Sequence, residues 1–243
     1  MDGLLRFLLW FALSYVLQAY DLSHALGPRG ALGIALDYSL ATLWPTDVNA
    51  ASTNVPRNWQ FSTHLTFNGQ VSQITDGQLW QIATDAFNEM VLDMTQYGIG
   101  NKNRPNAMAV SFTYDLIENT PVKDTLLLCQ AVWKDYGEGD TKHRTGGKCA
   151  ELMAAYLYYF SQVSPLKGQN ARIATVVWDY KARQPLPKAL CGDETAPATE
   201  RPIEWGCNLF VVGENLRPVD TTIALAPYDL TTLAGGLALR DQI

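Results

Sequence analysis

An α/β sandwich is the fold class this sequence predicts, and three features point to it. Residues 76–97 carry apolar side chains at three- and four-residue spacing, the repeat of an amphipathic helix. Residues 172–180, RIATVVWDY, form a β-branched run bounded by turn residues, which reads as a strand. The elements then follow one another as helix, strand, helix, helix, strand, helix, an order that lays helices against a sheet. The chain of 243 residues, 47% hydrophobic and 17% charged, holds enough apolar mass for one sizeable core.

The first segment, 1–19, reads MDGLLRFLLWFALSYVLQA. Its apolar run from Phe7 to Leu17 follows a single Arg6. The run is shorter than the ~20 residues a membrane span needs. It fits the apolar region of a signal peptide, with Ala19 or Ala25 at the cleavage point, so the expectation is a secreted protein without a stable membrane span in its mature chain. Residues 20–60 carry no clean period and read as an irregular N-terminal strap; 61–226 make the α/β domain; 227–243 read as a peripheral tail.

Within the domain, 61–71 alternates partly and suggests a short strand. The helix over 76–97 has Thr75 or Asp76 to accept from its free N–H groups, and Gly98 to end it in the left-handed position. The turn NKNRPN leads to a strand over 107–113, AMAVSFT. Pro121 precedes a second helix at about 123–136, and a polar loop runs on through Gly146-Gly147. The helix over 149–161 is apolar almost all round, which predicts burial on most sides. After the strand at 172–180 come a Pro-rich loop (181–206), a short helix (207–215) and a last strand (218–225).

The net charge of −6 and the pI near 5.0 argue against duplex nucleic acid as a partner, because phosphate contacts require a basic surface. The nearest basic group, Lys142, His143, Arg144 and Lys148, is short and reads as a solvated loop. There is no G-x-S-x-G elbow, and the glycines lack phosphate-loop or dinucleotide spacing.

The four cysteines, Cys129, Cys149, Cys191 and Cys207, admit two readings. An even number in an exported protein suggests two disulfides; three connectivities are possible and the sequence does not choose among them, Cys129–Cys149 with Cys191–Cys207 being the sequence-adjacent one. The other reading is a zinc site. Cys149 and Cys207 each begin a helix after glycine, where free N–H groups favour a thiolate, and Cys191 lies on the loop before the second of them. Three thiolates with an open fourth position describe a catalytic zinc centre. Glu151 follows Cys149 in the first helical turn, suited to moving a proton beside the metal without binding it. Cys129 lies mid-helix among leucines and reads as a small core residue. His143 is a fourth ligand, a substrate contact or a solvated loop residue, and the last is the expectation. Trp205 is more simply a core residue than a platform for a planar base.

The pattern GGKCAEL on a helix, then a strand, then a cysteine-bearing loop, then GC opening another helix, resembles the zinc-dependent deaminase superfamily, in particular its divergent exported, toxin-like branches in bacteria and fungi. The likeness covers about residues 75–225. It implies a central mixed sheet flanked by helices, zinc held by Cys149, Cys191 and Cys207, and Glu151 as the catalytic proton shuttle. The implied reaction is hydrolytic loss of ammonia from a nucleobase, nucleoside or related small molecule. The sequence departs from the family where Leu190, not proline, precedes Cys191, and where a long segment separates Cys191 from Cys207. The alternative is a non-catalytic, disulfide-bonded effector, binding or accessory protein.

Overall fold

The computed structural model describes residues 20–43, 59–107, 121–134, 143, 149–161, 164–192 and 205–241. The proposed signal segment and most of the strand expected at 107–113 lie outside the described residues. Within them no helix is long and apolar enough to cross a membrane.

Mixed helix and strand content agrees with the α/β class. In chain order the elements are β1 (Ala35–Leu36), α1 (Tyr38–Leu43), β2 (Phe61–Ser62), β3 (His64–Phe67), α2 (Asp76–Gln96), α3 (Pro121–Trp133), α4 (Ala150–Ser161), β4 (Arg172–Ile173), β5 (Val176–Asp179), β6 (Gln184–Pro187), α5 (Cys207–Gly213), β7 (Arg217–Pro218) and β8 (Leu237–Asp241). Among the described residues the strands form four separate pairs, β1–β2, β3–β8, β4–β7 and β5–β6, and not one central sheet. The strands are two to five residues long, and β6 carries Pro185 and Pro187, which confine it to an edge. Ala107, the start of the strand expected at 107–113, bridges Val177 of β5 in antiparallel sense.

Helix α2 organises the first core. A capping box starts it: the Thr75 hydroxyl accepts from the Gln78 N–H at 3.2 Å, and the Gln78 side chain accepts from the Thr75 N–H at 2.9 Å. Its end is a Schellman turn, with Gly98 at φ 69°, the Ile99 N–H on the Met94 carbonyl and the Gly98 N–H on that of Thr95. Trp80, Phe87, Met90 and Met94 lie on its buried face.

The described parts of the N-terminal strap, 20–43 and 59–60, belong to this core. Leu22, Leu32, Ile34, Leu36 and Ala41 are buried against α2. Its backbone donors are met by acids on the helix: Glu89 accepts from the Leu32 N–H at 2.8 Å, and the buried Asp93 accepts from the Leu36 N–H at 3.1 Å. A strap whose polar groups are satisfied by a neighbouring helix leaves no period in its own sequence. The C-terminal segment is likewise no loose tail. Leu233 and Ala234 are buried, and β8 pairs antiparallel with β3 from Phe67↔Leu237 to His64↔Asp241.

The second core gathers α3, α4 and α5 around Val122, Leu126, Leu152, Trp205 and Phe210. Behind it, β4 and β7 run parallel, joined by a crossover that contains the β5–β6 hairpin and α5. The expected strand at 218–225 is reduced to β7. Beyond Pro218, the Asp220 side chain takes the Thr222 N–H at 2.8 Å in a turn, and the Asp220 carbonyl accepts from Trp80 Nε1 at 3.0 Å. Asp76 joins the two cores, receiving Arg172 of β4 at 2.8 Å and Arg217 of β7 at 3.0 Å. Hydrogen bonds from Arg217 and then Arg172 hold its carboxyl below the usual range.

Candidate metal centre

The loop at Cys191 and the heads of α4 and α5 meet at one point. Cys149 stands immediately before α4, where its carbonyl accepts the Met153 N–H at 3.3 Å. Cys207 is the first residue of α5. Cys191 enters between them: its sulfur accepts the Cys207 N–H at 3.1 Å, and its carbonyl accepts the Asn208 N–H at 3.2 Å. Two N–H groups that the start of α5 would leave without helical partners are thereby satisfied. The approach needs glycine. A Cβ on Gly206 would lie 2.3 Å from the Cys191 carbonyl oxygen, and Gly192 adopts φ +80°.

His143 completes the group. The sulfurs of Cys149, Cys191 and Cys207 and a ring nitrogen of His143 all lie within 4.8 Å of one another. The Cys149 and Cys191 sulfurs are 3.5 Å apart, and His143 Nε2 is 3.6 Å from the Cys207 sulfur. A tetrahedral ion with Zn–S of about 2.3 Å and Zn–N of about 2.0–2.1 Å has edges of ~3.8 Å between sulfurs and ~3.6 Å between sulfur and nitrogen. Both separations are close to those edges, and an S₃N donor set suits zinc. Cys149, Cys207 and His143 are buried and Cys191 is half-buried. Among the described residues this is the one group of donors able to hold a metal.

The three sulfurs also perturb one another. Contacts from Cys149 and then Cys207 pull the Cys191 thiol far down toward thiolate. Contacts with Cys149 and Cys191, then burial and the Glu151 charge, push the Cys207 thiol far up. Three sulfurs this close cannot all ionise on their own charge, as with paired carboxylates, and a dication would relieve the repulsion.

Each sequence-predicted residue can now be placed. Cys149, Cys191 and Cys207 converge as expected. Glu151 is buried near them, outside the donor set, and accepts from the Thr175 hydroxyl at 2.9 Å. Its charge acts on Cys207. Cys129 stands apart in the second core, where burial and then the Glu214 charge push its thiol up to about 11. All four cysteines are free, so the disulfide reading fails in every connectivity, the sequence-adjacent pairs Cys129–Cys149 and Cys191–Cys207 included. Even the 3.5 Å between Cys149 and Cys191 far exceeds a disulfide bond of about 2.05 Å.

His143 overturns its expectation. It is 2% exposed, not solvated, and its ring packs edge-on against Trp205 at 4.8 Å between centroids. The available signal was its position before GGKC, too short a pattern to separate a ligand from a loop residue. Thr175, unmarked in sequence, is the residue that fixes Glu151. Trp205 is 1% exposed and lies in the core. No family model, curated protein or solved structure matches this chain.

Proposed function

We propose that the protein is a secreted zinc protein with a deaminase-like centre, which serves hydrolytic removal of ammonia from a nucleobase, nucleoside or related small molecule. One observation carries this reading. Cys149 and Cys207, each at the head of a helix, converge with Cys191 while Glu151 is buried alongside and stays out of the donor set. The donors fit zinc in kind and in spacing. When bound there, zinc supplies Lewis acidity and makes hydroxide accessible near neutral pH.

The remaining work falls to the chain. Glu151 takes a proton at one carboxylate oxygen, delivers it to a ring nitrogen of the substrate and assists departure of ammonia. The Thr175 hydroxyl fixes one Glu151 oxygen and thereby the orientation of the other. The low charge content and net charge of −6 favour a small substrate over a duplex.

A second reading has its own support. Four protein donors describe a closed, structural zinc site, and His143 supplies the fourth. On that reading the protein is a non-catalytic effector or binding protein with zinc holding α4 to α5. Metal analysis and ammonia release from a panel of bases and nucleosides separate the two. Under the first, zinc is near one per chain, and Glu151→Gln retains it while ammonia release is lost. Bound zinc with no release from any substrate leaves the structural centre, and release unchanged in E151Q removes Glu151 from its role.

A further inference from the structure

The three cysteines of the centre differ in their access to solvent. Cys207 is fully buried and Cys149 is buried, while Cys191 is half-buried. An oxidant arriving from water therefore meets Cys191 first. The Cys149 sulfur stands 3.5 Å from the Cys191 sulfur. Both backbones are pinned: the Cys149 carbonyl accepts the Met153 N–H of α4, and the Cys191 carbonyl accepts the Asn208 N–H of α5. A disulfide of about 2.05 Å asks the two sulfurs to close by ~1.5 Å, an adjustment of side chains on fixed backbones. It costs the hydrogen bond that the Cys191 sulfur accepts from the Cys207 N–H.

We infer that Cys149 and Cys191 are a redox switch on the centre: a hydroperoxide joins them in a reversible disulfide, and the metal is released. The bridge rests on the sulfur geometry; the release rests on the zinc reading above. The electrons balance against the peroxide. The Cys191 thiolate attacks one peroxide oxygen, the O–O bond breaks, Cys191 becomes a sulfenic acid and hydroxide leaves. The Cys149 thiolate then attacks the Cys191 sulfur, the S–O bond breaks, the S–S bond forms and a second hydroxide leaves. Two thiolates have lost two electrons and the peroxide has gained them. Cys207 and His143 remain, half of a tetrahedral donor set. Cys207 escapes oxidation because its sulfur is fully buried and faces His143 Nε2 at 3.6 Å. Cys129 escapes because it is buried outside the donor group.

Hydrogen peroxide added to the zinc-loaded full chain tests this. Zinc release is followed with a chromogenic chelator, thiols are titrated in the denatured chain, and the bridge is mapped by peptide mass spectrometry. Thiols should fall from four to two as one zinc per chain is released. The peptides carrying Cys149 and Cys191 should be joined, and dithiothreitol with added zinc should restore both counts. Cys149→Ser removes the resolving thiol, so dimedone should then label Cys191. A bridge that includes Cys207 or Cys129, irreversible oxidation of Cys191 without a bridge, or thiols and zinc both unmoved by peroxide overturns the switch and leaves the zinc centre standing. An untreated chain without zinc overturns the zinc reading and the release with it. The wild-type map decides the pairing even where C149S fails to fold.

Discussion

Replacing Asp93 by Asn should make the protein's stability less dependent on pH, by an amount the structure sets. Asp93 is fully buried and accepts from the Leu36 N–H at 3.1 Å. Burial pushes its carboxyl up from 3.8 to about 6, against the lowering effects of Leu36 and Gln96. The folded state therefore binds the proton more tightly than the unfolded chain. The stabilisation is fully present below the unfolded value and is lost as pH rises through the folded one. The gap of ~2.2 units corresponds to ~3 kcal/mol in total, of which ~1.4 kcal/mol falls between pH 5 and pH 8. Asn carries no charge at either pH, and whatever it costs in hydrogen bonding it costs equally at both. Urea unfolding of wild type and D93N, each saturated with zinc, gives the difference in stability at the two pH values. That difference should move in favour of Asn by ~1.4 kcal/mol from pH 5 to pH 8. A constant difference, or a shift toward Asp, would refute the assignment of a buried acid that resists ionisation.

Other outcomes follow from the same geometry. Gly206→Ala drives a Cβ to within 2.3 Å of the Cys191 carbonyl and should cost about 2 kcal/mol or more in thermal unfolding, with metal content reduced. Cys129→Ala should leave zinc at its wild-type stoichiometry while costing about 1 kcal/mol, since Cys129 packs in the second core and is not a donor. Tyr159→Phe removes a hydroxyl that donates to Glu214 at 2.8 Å and accepts from the Leu166 N–H at 3.0 Å. Loss of about 1–3 kcal/mol in urea unfolding is expected, and a neutral result would show that water replaces it. Stripping zinc with a chelator should lower the unfolding temperature; at free zinc a thousandfold above Kd the ion contributes about 4 kcal/mol, and an unchanged transition would dissociate the metal from the fold.

Local signals were legible where the chain satisfies itself locally. Thr75, Gln78 and Gly98 mark the ends of α2 in sequence because capping is a matter of neighbours along the chain, and the structure has both caps. The three cysteines could be singled out because each stands beside a glycine or a helix start. The strap and β8 could not. Their partners are Glu89, Asp93 and β3, far away along the chain, and no periodicity records a hydrogen bond to a distant carboxylate. His143 was misjudged for a related reason. Its neighbours Lys142 and Arg144 are basic, so the local composition reads as surface, while its burial is decided by Trp205 and Cys207.

The pairing of β3 with β8 bears on how the molecule is made. Residues 64–67 are synthesised long before 237–241 and must wait for them before their open edge is covered. Until those residues emerge, that edge is available to neighbouring chains. Deleting residues 237–241 would therefore act far away along the chain, on β3 at His64 to Phe67.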